Sequence, residues 1–267
     1  VGHVPFLSWL GSNLANMYIG MGNMDKAVLL AEESVALDRK IGNLIHLPMS
    51  LGVLGSILQM LGEWDKSEQY LRERFSLSQK LGDIQSVAGG YGSLGLLHFD
   101  KGEFAEAKEF FEKAYEVCEK AGAKSAQMVY SRWLASTLIE QGEIEKASGL
   151  LDKSYEYAVK IRDRAMVAWT DVRKGMMFRA QKKWEESIAH FEKSMQELEA
   201  LGERHWQVYG FAKYLLYEYA RMYLERNEEG DRQKAHTLLN QALEIFQKLG
   251  AKKDIEKVLA KKKLLTA

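Results

Sequence analysis

Residues 83–122 read DIQSVAGGYGSLGLLHFDKGEFAEAKEFFEKAYEVCEKAG, and the fold follows from them. Apolar side chains recur at spacings of three and four on both sides of Gly102, and Gly122 closes the stretch. Such spacing marks an amphipathic helix. A glycine just past it supplies the left-handed residue that ends one. The stretch therefore predicts two helices, with turns at Gly102 and Gly122. Gly95, seven residues before the first turn, and Ala107, five after it, let the two helices approach closely at their crossing. Phe104 and Phe111 are the large side chains placed beside them.

The pattern repeats every forty residues. Turns fall at Gly22, Gly62, Gly102 and Gly142, with Lys182 in the next place. A second series, Gly42, Gly82, Gly122, Arg162 and Gly202, lies twenty residues out of phase. Small residues precede the first-series turns at Ala15, Gly55, Gly95, Ala135 and Gly175, and follow them at Ala27, Ser67, Ala107, Ala147 and Ser187. Met24, Trp64, Phe104, Ile144 and Trp184 open the second helices; Leu71, Phe111, Leu151 and Phe191 recur further along, with Ala31 the exception. A sixth copy runs through Ala220, Tyr223, Asn227, Ala235, Leu239 and Ala242. It is stretched by five residues before Ala220 and by residues 229–232 in its turn. Ile255, Val258 and Leu259 then form an apolar stripe on a Lys-rich segment, as a terminal cap requires. A fixed period of this length is the mark of a repeat architecture, here an all-α solenoid.

The small residue, a position three later (Tyr18, Leu58, His98, Leu138, Phe178), the turn and then Ala or Ser resemble the tetratricopeptide repeat. The spacing of twelve between the two small positions is the same, while the forty-residue period is longer than the usual repeat and its closing proline is absent. Forty-residue variants with Leu81-Gly82-Asp83 at the turn resemble cytoskeletal adaptors and the sensor regions of bacterial signalling ATPases and transcription activators. The resemblance implies a right-handed α-solenoid of about six helix pairs plus a C-terminal capping helix. Residues 1–267 are expected to form a single superhelical domain, with repeats near 6–42, 43–82, 83–122, 123–162, 163–202 and 203–250 and a cap at 252–265.

Composition narrows the function. Lys and Arg number 37 against 37 Asp and Glu, which removes the bulk electrostatic case for nucleic acid or anionic lipid. No run approaches a membrane span. The single Cys118 excludes an intramolecular disulfide or a multi-cysteine metal site. Few prolines and no glycosylation sequon lean toward a cytoplasmic chain. The chain begins at Val1 rather than Met, which reads as processing or as a piece of something longer.

Gly90-Tyr91-Gly92-Ser93-Leu94-Gly95 matches a dinucleotide fingerprint, but that motif works only between a strand and a helix. Here Gly95 holds a helix-packing position, so nucleotide binding is rejected. Gly89, Gly90 and Gly92 have no packing reason in the sequence and mark a close approach or a flexible joint. His3, His46, His98, His190, His205 and His236 lack the spacing of a metal site and read as surface or packing residues. No nucleophile–base pair, phosphate loop or carboxylate pair can be assembled. The sequence therefore argues for no enzyme, cofactor or metal.

The resemblance places the first helix of each pair on the concave wall. Its groove positions include Trp9, Ser12, Asn16 and Ile19; Met49, Gly52, Ser56 and Gln59; and Gly89, Gly92, Leu96 and Phe99. Further on they include Val129, Arg132 and Ser136; Trp169, Val172, Met176 and Arg179; and Tyr214, Tyr217 and Arg221. Residues 1–24, 41–62 and 84–99 carry no charge. That suits either an apolar segment lying in the groove or tight helix packing wetted by Ser, Asn and Gln.

Later repeats differ. Arg132, Arg173, Arg179 and Arg221 mix with Trp133, Trp169, Tyr214 and Tyr217, a composition typical of binding hot spots. Glu140, Glu218 and Glu225 lie nearby, so intramolecular ion pairs explain the arginines equally well. Asn13 and Asn16 resemble the asparagines of the family's chaperone-tail clamp, but Ser12, Met49 and Val53 stand where its other residues belong. Chaperone binding is rejected.

The expected binding set is Trp9, Asn13, Asn16, Gly92, Arg132, Trp169, Arg173, Arg179, Tyr214, Tyr217 and Arg221, for a protein or peptide partner. Arg179→Glu and Trp169→Ala are expected to abolish partner binding without lowering the melting temperature. Val4, Phe6, Leu7, Trp9, Leu10, Leu14 and Met17 point in more directions than one buried stripe needs. The first helix is therefore expected to be covered by upstream sequence or by a second copy. Two functions follow: a non-catalytic scaffold with a binding groove, or a sensor region gating an attached domain.

Overall fold

The computed structural model describes residues 4–202 and 207–266, and every regular element among them is a helix. These are α1 (Val4–Gly20), α2 (Met24–Ile41), α3 (Leu47–Leu61), α4 (Trp64–Leu81), α5 (Ile84–Lys101) and α6 (Phe104–Lys120). There follow α7 (Lys124–Glu140), α8 (Ile144–Lys160), α9 (Arg164–Ala180), α10 (Trp184–Ala200) and α11 (Gln207–Gly210). A π-helical segment (Phe211–Leu216) leads into α12 (Tyr217–Arg226), then α13 (Asp231–Leu249) and α14 (Lys252–Thr266). The architecture is an α-solenoid. It divides into two compact units, one of residues Val1–Gln127 and Lys248–Ala251, the other of Met128–Gln247 and Lys252–Ala267.

The turn residues behave as the period requires. Glycines of both series sit at positive φ, for example Gly62 at 81° and Gly102 at 82°. Where the period substitutes another residue, the backbone keeps its shape: Arg162 holds φ 55° and Lys182 holds φ 58°. A side chain there costs about 1–2 kcal/mol, because Cβ crowds the following carbonyl. The turn geometry is thus imposed by the packed helices on each side.

In the first unit, helices pack in pairs, α1 on α2, α3 on α4 and α5 on α6. A Cβ added to Gly55 would lie 2.7 Å from Leu71, and one on Gly95 would lie 2.8 Å from the Phe111 ring. Ser67 Oγ fixes the crossing by donating to the Gly55 carbonyl at 2.8 Å. The first repeat solves the same problem with Ala15 and Ala31, both fully buried. Leu71, Leu94 and Leu97 form a core that Trp64, Phe75 and Phe110 cover.

The inter-repeat turn after α2 is tied down by buried Asp38. Its carboxylate accepts from Ser8 at 2.6 Å, Ser50 at 2.6 Å and Asn43 at 2.9 Å, and lies 2.7 Å from His46 Nδ1. Burial alone would raise this carboxyl; the bonds from Ser50, Ser8 and His46 outweigh it and hold it below its ordinary value. His46, scattered by sequence spacing, belongs to this cluster.

The second unit repeats the crossing: a Cβ on Gly175 would lie 3.0 Å from the Phe191 ring, and Ser187 Oγ donates to the Gly175 carbonyl at 2.8 Å. The stretched sixth repeat has two physical solutions. The π segment, bonding i to i+5, holds a wider turn than the α-helix on either side of it. The long turn is clamped by Asp231, which accepts a forked pair from Arg226 at 2.8 and 2.6 Å and the Glu228 amide at 2.9 Å. In the cap, Val258 is buried as expected, but Leu259 is 42% exposed. Asp254 of α14 binds the Tyr209 hydroxyl at 2.7 Å instead.

Candidate binding surface

In the first unit, α1 leaves Phe6, Leu7, Trp9 and Met17 half exposed, with Trp9 stacked on Phe6 at 5.5 Å. The Asn13 amide donates to the Trp9 carbonyl at 2.8 Å. Not every groove position faces outward. Ser12 is fully buried against Ser50 at 3.3 Å, Ile19 is 3% exposed, and Gly92 is buried.

A recess of about 380 Å³ does open at the register positions, lined by Asn16, Met49, Gly52 and Ser56 together with Val53 and Arg74. Arg74 comes from α4, the second helix of its pair, and sequence reasoning missed it. Its passage depends on two glycines: a Cβ on Gly52 would lie 2.7 Å from Arg74 Nη1, and one on Gly89 would lie 2.6 Å from Nη2. Arg74 donates to Ser93 Oγ at 2.7 Å. Gly90 clears Phe75 in the same way, at 2.7 Å. Gly89 and Gly90 therefore have packing reasons after all, and the wall is not uncharged. The missed signal was a glycine pair one helix away from an arginine.

In the second unit, Trp169, Arg173 and Tyr214 come together with Trp133. The Arg173 guanidinium lies 4.7 Å from the Trp133 ring centre, 5.3 Å from Trp169 and 5.3 Å from Tyr214. Tyr214 meets Trp133 edge-on at 4.9 Å. Arg132 reaches Ser154 Oγ at 3.3 Å. Burial pushes both guanidiniums down, Arg173 to about 10 and Arg132 to about 9, the latter with help from the neighbouring Arg173 charge. Both stay cationic at neutral pH.

Arg179 and Arg221 are occupied differently. Arg179 donates to Glu225 at 2.6 Å and lies 3.5 Å from Glu140 and 3.6 Å from Glu218. Arg221 binds Glu218 at 2.9 Å and Glu140 at 3.3 Å. Arg179 is only 5% exposed. A charge reversal there would set a carboxylate among carboxylates, so the expectation that Arg179→Glu leaves stability untouched is corrected. Tyr217 beside this network has its phenol pushed up to about 12, chiefly by burial and then by Glu218.

Other ionisable groups are structural. Cys118 is buried and burial raises its thiol, the reverse of a reactive cysteine. His98 pairs with Glu103 at 2.6 Å and His190 with Asp171 at 2.9 Å; His3 and His205 lie outside the described residues. Among the described residues there is no cluster arranged to hold a metal ion, and no helix is long and apolar enough to cross a membrane.

Two tetratricopeptide-repeat family models match the chain, over residues 86–160 and residues 10–44. Both matches fall in the register derived above. Over those residues the chain carries tetratricopeptide repeats.

The fold of this repeat chain is similar to the apo form of RapI, with a TM-score of 0.73 at 14% identity over 91% of this chain and 84% of that one. It is also similar to the Rap conjugation gene regulator of plasmid pLS20, solved in complex with the Phr* peptide (TM-score 0.72, 20% identity, 95% of this chain and 64% of that one). Aspartyl phosphate phosphatase F from Bacillus subtilis matches at a TM-score of 0.72 and 15% identity, over 91% of this chain and 61% of that one. No curated protein matches the chain. At these identities the likeness speaks to fold.

Proposed function

We propose that this repeat chain is a non-catalytic scaffold whose first-helix faces hold a peptide or a segment of a protein partner. The observation that carries the reading is the recess on α1 and α3, where Asn16, Met49, Gly52, Val53, Ser56 and Arg74 line one opening. Apolar wall, small polar groups and a single cation are what an extended peptide needs for packing and for its backbone bonds. The pLS20 regulator, solved with a bound peptide, supports the reading by analogy of fold.

A second reading, a sensor region gating an attached domain, is supported by the same regulator, of whose chain the match covers 64%. Both readings need ligand binding.

The test is selection of peptides from a random displayed library against the full chain. Selected peptides are expected to lose binding to Val53→Glu or Ser56→Arg, which fill the recess, while helicity is unchanged. Recovery of no peptide above background, or equal binding by both variants, would sink the proposal.

A further inference from the structure

Arg132 and Arg173 lie inside the second unit, 9% and 4% exposed; among the described residues neither has a carboxylate at ion-pair distance, and Glu218 and Asp163 act on Arg173 and Arg132 only from further away. Arg173 Nε and Nη1 are buried without a hydrogen-bond acceptor. The faces of Trp133, Trp169 and Tyr214 attract the cation, but they leave the N–H edges of the guanidinium without an acceptor. Arg132 has a single hydroxyl, that of Ser154. Two buried like charges repel and lose hydration, so the arrangement costs stability as it stands.

The rest of the unit shows that this is not its habit. Arg179 and Arg221 share Glu140, Glu218 and Glu225, and Arg226 forks onto Asp231. Arginines that hold the fold here are bonded to carboxylates; the caged pair feels Glu218 and Asp163 only at a distance.

A second feature converges on the same place. The π segment Phe211–Leu216 carries Tyr214 onto the cage. π turns are unfavourable and recur where a side chain must be re-aimed for function. Trp133, Trp169 and Tyr214 are each partly exposed, so the cage is not sealed.

We infer that Arg173, assisted by Arg132, binds a carboxylate of the ligand, while Trp133, Trp169 and Tyr214 pack the apolar group beside it. The inference rests on the peptide-binding reading and names its chemistry. A carboxylate accepts from a guanidinium edge in a forked pair, which engages Nη2 together with Nε or Nη1, one of the donors that the fold leaves open. The carboxylate can come from a peptide's C-terminus or from an acidic side chain.

The experiment uses the full chain and three small probes: N-acetyl-leucine, the α-amide of N-acetyl-aspartate, and the neutral N-acetyl-leucinamide. Thermal unfolding and the Arg Nε–Hε resonances are followed at constant ionic strength. A carboxylate probe is expected to raise the melting temperature by mass action and to shift the Arg173 resonance. The neutral amide is expected to do neither. Stronger response to N-acetyl-leucine assigns the site to a chain terminus, and stronger response to the aspartate amide assigns it to an acidic side chain.

Arg173→Met, and Arg173→Lys, which keeps the charge but loses the fork, are each expected to raise the half-saturating concentration about tenfold or more. No response to either carboxylate, an equal response to the neutral amide, or an unchanged response in both variants overturns the inference. If library-selected peptides still bind while carboxylates fail, the scaffold reading survives and only this inference falls. If carboxylates bind while no peptide is recovered, the reverse holds.

Discussion

The two units use one helix-pair plan and finish their first-helix faces in opposite ways. In the first unit the first helices of the pairs bear no charge before Asp100 and Lys101 at the end of α5, and glycines at 52 and 89 make room for Arg74 from α4. In the second, arginines stand on the first helices themselves, either spent on Glu140, Glu218 and Glu225 or enclosed by aromatic rings. Small side chains gave the first unit a recess; large ones gave the second a cage. The lesson is that the repeat register fixes where a side chain starts, whereas neighbouring volumes decide where its end arrives.

The common plan makes the strongest test. Phe111→Ala and Phe191→Ala should each cost about 3–5 kcal/mol, since each ring fills the space a glycine leaves on the facing helix. Urea unfolding of both variants checks this; unequal losses would show that the two units do not share one packing solution. Next, Arg179→Met should cost about 3 kcal/mol, because it removes a buried cation held by Glu225 and strands its carboxylate neighbours. A variant as stable as the wild type would return Arg179 to the candidate binding set.

In the first unit, Asp38→Asn should cost about 2 kcal/mol at neutral pH, through loss of acceptors for Ser8, Ser50 and His46. The folded carboxyl titrates below its ordinary 3.8, so its contribution is present above that value and is lost as pH falls through the lowered one. The gap between variant and wild type should therefore narrow in acid, and a gap that widens there contradicts the assignment. The smallest effect sharpens the turns: Lys182→Gly and Arg162→Gly should each stabilise by about 1 kcal/mol, by relieving a left-handed backbone. Melting temperatures unchanged in both would show that the tertiary frame already absorbs that strain.

Much of the fold was legible because packing leaves a periodic trace. Gly95 against Phe111 and Gly175 against Phe191 are pairs that spacing alone identifies, and a glycine marks the end of each pair except the one that closes at Arg162. The caged site was half legible: Trp169, Arg173 and Tyr214 stood out by type, although nothing separated them from Arg179 and Arg221. Arg74 was invisible, since its role depends on Gly52 and Gly89 in other helices. The Asp38 cluster was equally hidden, because Ser8, His46 and Ser50 converge only when α1, α2 and α3 pack.

The forty-residue period, the helix pairs and the matched small and large positions are written in the order of residues, because backbone conformation and core volume are local demands repeated along the chain. Which arginines are neutralised, which is caged, and where a π turn enters the sixth repeat were set only by packing between helices. Those outcomes depend on distances between charges and rings on different helices, and a one-dimensional spacing does not carry such distances.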